Sequence, residues 1–129
     1  MLLDSQAMFS DAQEITSGTI YSTNTVKFGK GDVSFVPVII QVVKSFENLS
    51  KLSVSVQTAN DAEFLEPVTL MESQMLLADL KEGAKFPIAF LPKGNLGYMR
   101  LAYTVDGTES AGKITAGVVA KDGVSFHEL

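Results

Sequence analysis

Residues 107–113 read GTESAGK, which matches the glycine and lysine spacing of a phosphate-binding loop. In such a loop the backbone N–H groups cradle phosphates, Lys113 would reach the outer ones, and a hydroxyl on the next residue would hold Mg²⁺. That next residue is Ile114, which offers no oxygen. The loop should also open a helix whose N-terminus faces the anion. Ile114 to Val119 instead alternates like a strand. A hairpin loop between two strands is expected here, with no nucleotide.

His127 is the single histidine and lies close to the last residue. A hydrolytic triad or a histidine-ligated metal would have to rest on this one imidazole. A frayed tail is a poor scaffold for either. Asp61, Glu63 and Glu66 could offer oxygens to Ca²⁺, but they lack calcium-loop spacing. A solvated acidic loop is expected. A glycosidase needs two carboxylates facing each other across a cleft, and nothing marks out a pair. The absence of cysteine excludes disulfides, thiol catalysis and cysteine-ligated zinc. The expectation is no enzyme, no cofactor and no metal.

Two groups carry recognition chemistry instead. Arg100 stands between Met99 and Leu101, on the strand face shared with Tyr98 and Ala102. A charge there must reach solvent or be paired. It either points outward and stacks on Tyr98, or joins Tyr98 in an inter-subunit contact, where Arg and Tyr are enriched. The second group is Leu2, Leu3, Met8 and Phe9, within a first stretch, 1–16, that lacks clean alternation. That stretch is expected to be a short helix or an extended arm. It packs on its own domain or reaches a neighbouring subunit. These six residues are the candidate partner interface.

The elements that position them follow from patterning. Leu52, Val54 and Val56 alternate with Ser53, Ser55 and Gln57, which gives a strand one face buried and one face wet. Val26 and Phe28, the set Met99, Leu101, Tyr103 and Val105, the set Ile114, Ala116 and Val118, and the set Phe86, Ile88 and Phe90 repeat this period. Val36 to Val43 is apolar on both faces, as in a central strand covered on both sides. Turn residues separate the runs at 29–32, 60–61, 92–95, 106–107 and 122–123. About eight strands result, which suggests a two-sheet sandwich or barrel. Residues 70–83 (LMESQMLLADLKEG) resist, because Met71, Met75 and Ala78 have helical spacing. They are open to both helix and strand.

The chain of 129 residues suits one domain, with an arm at 1–16 and a β-sandwich at 17–129. A net charge of −5 leaves no cationic field for nucleic acid or anionic membrane. It would suit a partner with basic patches. The start has no basic region before an apolar core, so no signal peptide is expected. The apolar run 36–43 is too short to span a bilayer.

Residues 1–13, 91–105 and 111–118, together with 54–58, resemble small capsid proteins of Bordetella-phage-type podoviruses. The resemblance implies a capsid cement, or decoration, protein of a tailed bacteriophage, with an all-β, antiparallel two-sheet sandwich of jelly-roll type. It implies a subunit on the outer surface of the icosahedral shell in the virion, made in the host cytoplasm. Its partners would be the major capsid protein and a second copy of itself, with a dimer favoured. It implies no catalytic residues. The middle of the chain, 63–85, matches least. Rival readings are a carbohydrate-binding sandwich module and a minor tail or head-completion protein.

Overall fold

The computed structural model describes residues 3–33, 36–107 and 110–119. They form an all-β structure of eight strands: β1 (Leu3–Ile15), β2 (Thr19–Tyr21), β3 (Val26–Lys27), β4 (Val38–Lys44), β5 (Leu49–Ala59), β6 (Val68–Leu76), β7 (Tyr98–Gly107) and β8 (Gly112–Val119). The one helical turn among the described residues is a 3-10 turn at Leu77–Asp79. Every strand pairing among the described residues is antiparallel. One sheet runs β1-β8-β4; the other runs β2-β7-β5-β6, with β3 also on β7.

Alternation decides which side chains meet. Leu52, Val54 and Val56 of β5 lie opposite Val105, Tyr103 and Leu101 of β7, and all six are buried. Ile114, Ala116 and Val118 of β8 sit beside Val42, Ile40 and Val38 of β4, and these too are buried. The two sheets enclose one core, in which Phe9, Phe46 and Leu80 have 2% exposure or less. Tyr103 brings a hydroxyl into this core. It lies 2.7 Å from Ser10 Oγ, which itself donates to Gln13 Oε1. Burial pushes the Tyr103 phenol well above its usual range, against a smaller opposing effect of the Ser10 bond.

Residues 83–91 run antiparallel beside β4 without forming a regular strand. Phe86 N–H donates to Ile40 O, Val42 N–H to Ala84 O, Val38 N–H to Ala89 O and Leu91 N–H to Val36 O. Two isolated bridges, Gln41 with Lys85 and Pro37 with Phe90, mark the ends. Pro37 and Pro87 have no N–H to donate, so the ladder is broken. Counted as a partner, this stretch completes a nested set of pairs: β1 with β8, β2 and β3 with β7, β4 with 83–91, and β5 with β6.

Two expectations need correction, and one open choice is resolved. Residues 3–15 are not an arm: they form β1 along β8, with Ala7, Phe9 and Ile15 buried. Three register shifts in the β1–β8 pairing erase the period of two, and Ala12 has a φ of 48°. Residues 70–83, left open between helix and strand, take the strand: β6 runs to Leu76 and the 3-10 turn follows. Pairing with β5 overrides the helical propensity of Met, Leu, Glu and Gln. The run 36–43 is not covered on both faces, because Pro37, Ile39 and Gln41 stay half-exposed.

Candidate interaction surface

Period two sends Tyr98 and Arg100 to the outer face of the larger sheet, opposite Met99 and Leu101 in the core. Arg100 pairs with Gln57 of β5, and its Nε donates to Gln57 Oε1 at 2.9 Å. Its guanidinium lies 3.8 Å from the centroid of the Tyr21 ring and 4.3 Å from that of Phe64. Tyr21 comes from β2; Phe64 comes from the loop after β5, with a φ of 52°. Arg100 therefore does not stack on Tyr98, as the sequence suggested. Tyr98 is opposite Lys27 in the register, and the Lys27 Nζ sits 5.8 Å over its ring. A cation over an aromatic face gains roughly 0.5–2 kcal/mol, according to how dry the site is.

Of the other candidates, Leu3, Met8 and Phe9 lie on the other sheet, so the structure does not bring them together with Tyr98 and Arg100. Phe9 is wholly buried, and its carbonyl accepts the Asn24 N–H. It fills its own core and cannot grip a neighbour. Met8 is half-buried; its carbonyl accepts from Asn24 Nδ2, and its sulfur lies where a side chain on Gly117 would have to go. Leu3 pairs with Val119 through the backbone. Leu2 lies outside the described residues, as does His127.

The phosphate-loop spacing has a packing origin. A Cβ on Gly112 would collide with the Phe46 ring, so the glycine is there to let β8 pass that ring. No helix follows it; β8 begins at that residue. Among the described residues no three His, Asp or Glu side chains converge as a metal site would need. Asp61 instead supports its own loop, accepting the Leu65 N–H at its carboxylate and the Phe64 N–H at its carbonyl.

Two surfaces escaped the sequence reading. The first is an apolar groove of about 390 Å³ between β4 and 83–91, lined by Pro37, Ile39, Phe86 and Val119 among others. The second is β6. It ends its sheet, and among the described residues no other backbone pairs with its outer edge. Val68, Met71 and Leu76 on it are exposed, as is Leu65 just before it. Apolar residues on an edge strand were the available signal, but their helical spacing hid it.

The family model Bbp16 matches residues 9–118 of the chain. No curated protein matches the chain.

Proposed function

The chain belongs to the Bbp16 family, whose name marks a Bordetella phage protein, and from that premise we propose that it is a virion structural protein. In this reading it is not an enzyme. It binds the outside of the icosahedral capsid and stabilises it by bridging neighbouring major capsid proteins. The family match over 9–118 carries the proposal, since it spans both sheets and the core.

The proposed fold type is a jelly roll. What supports it is the nested pairing, in which the first strand meets the last and each following strand meets the one before it from the other end. With 83–91 included, each layer holds four positions, as in a double-sheet jelly roll. Such a body presents sheet faces and rims to partners. A cement subunit needs only modest contacts, because linked sites raise each other's effective concentration. Self-association as a dimer belongs to the same proposal; a stable contact would bury about 1,000 Å² or more.

The test is direct. Purified protein added to expanded shells that lack it should bind at saturation and raise their melting temperature. Saturation without thermal protection sinks the cement reading. A carbohydrate-binding module would use exposed aromatic faces. Here Arg100 lies over Tyr21 and Lys27 over Tyr98, which disfavours sugar stacking at those rings. A glycan array checks this, and a specific hit would revive that reading. Quantitative densitometry of virions separates a shell subunit, present in hundreds of copies, from a tail or completion protein, present in a few.

A further inference from the structure

Long, flat, apolar strand edges invite pairing with other chains, and soluble proteins usually guard them with Lys, Pro, bulges or short length. Three of the four outer edges here carry such guards. β1 has three register shifts; β2 and β3 have three and two residues; the 83–91 stretch carries Lys85 and Pro87. β6 is different. It is nine residues long; Pro67 and one register shift lie at its start, and beyond them Met71 to Leu76, with Glu72 as its single charge and neither Pro nor Lys, keep regular register with β5.

The charge around it is one-sided. Between residues 61 and 82 stand Asp61, Glu63, Glu66, Glu72, Asp79 and Glu82, with Lys81 as the lone base. That stretch has a net charge of −5, equal to the charge of the whole chain, so the rest is balanced. Two copies paired edge to edge through β6 would set these acidic stretches against each other. Like charges brought together across an interface are costly. A basic strand has the opposite sign and meets the same free N–H and C=O groups.

We propose that β6 is a docking edge that receives an extended, basic segment of a partner protein as an added antiparallel or parallel strand. Backbone hydrogen bonds supply the pairing, Met71 and Leu76 supply apolar contact, and the acidic surround selects Lys- or Arg-bearing segments. This deepens the capsid reading and rests on it for the identity of the partner, since a shell protein would provide the segment.

The experiment uses the full chain and synthetic strand peptides of alternating Lys and Val. Control peptides carry Glu for Lys, or N-methyl groups at alternate backbone positions. The expected result is binding of the basic peptide at least about tenfold tighter than the acidic one, weakening about tenfold as salt rises from roughly 0.05 to 0.3 M. N-methylation should abolish binding, and hydrogen exchange should slow in β6 and in no other strand. Equal binding of both charge types overturns the proposal, as does protection elsewhere. So does concentration-dependent protection of β6 without peptide, which would make a second copy the occupant.

A Glu66→Lys/Glu72→Lys variant separates this from the capsid reading. If it loses the peptide and binds shells as the wild type does, docking of the shell at β6 falls while the cement role stands. If the wild type takes the peptide and ignores shells, the edge stands and the cement role falls.

Discussion

β1 and β6 are both outermost strands, yet they meet opposite fates. β1 is longer, and it turns Ala7, Phe9 and Ile15 into the core while shifting register three times along β8. Its kinks make it a poor template for a new strand. β6 has no wholly buried side chain, keeps near-regular register with β5, and leaves Val68, Met71 and Leu76 in solvent. Sequence apolarity alone would have ranked the first stretch as the sticky one. The difference teaches that exposure of an edge depends on what lies across the sandwich from it, and not on how greasy the strand is.

Four substitutions break or sharpen that comparison. Phe9→Ala should cost about 3–5 kcal/mol of folding stability in a urea titration, as for any large aromatic removed from a packed core. A small cost with weakened shell binding would return Phe9 to an interface role. Gly112→Ala, on the strand that seals β1, should cost about 3 kcal/mol because Phe46 must move; a neutral melt would show that ring to be loosely held.

Tyr103→Phe should cost about 1 kcal/mol, the net worth of its bond to Ser10, by the same titration. It also has a pH signature. The folded state holds the phenol protonated to higher pH than the unfolded chain does, so this contribution is intact below pH about 10 and fades as pH rises beyond it. The variant should lose less stability than the wild type over that alkaline range. Leu76→Lys, at the open edge, should change stability by less than about 0.5 kcal/mol. It should nonetheless weaken capture of the basic strand peptide. A large loss of stability there would mean that β6 is sealed after all.

Much of the fold was legible where strands are straight and one-sided. Leu52 to Gln57, Met99 to Val105 and Ile114 to Val118 alternate in sequence, and their apolar residues are buried as that alternation requires. Legibility failed where pairing departs from period two. Register shifts hid β1, and Pro37 and Pro87 broke the ladder beside β4, although Phe86 and Ile88 were recognised as one face. β6 was obscured by residues that prefer helices, since strand preference at an edge depends on the neighbour more than on the residue. Of the candidate surface, the outward aim of Tyr98 and Arg100 was readable. Which rings the cations would cover was not, because that depends on the β2, β3 and loop partners that the fold brings alongside.

The pairing of Leu3 with Val119 has a consequence for how the molecule is made. A ribosome makes β1 before β8, its neighbour in the sheet among the described residues, and the two are separated by residues 16–111. Until β8 emerges, the nascent chain lacks the ladder that holds β1, with Phe9 and Ile15, in its sheet. Contacts so remote along the chain are the kind that slow folding to about milliseconds to seconds. Synthesis halted before β8 should therefore yield an insoluble fragment and not a smaller stable domain.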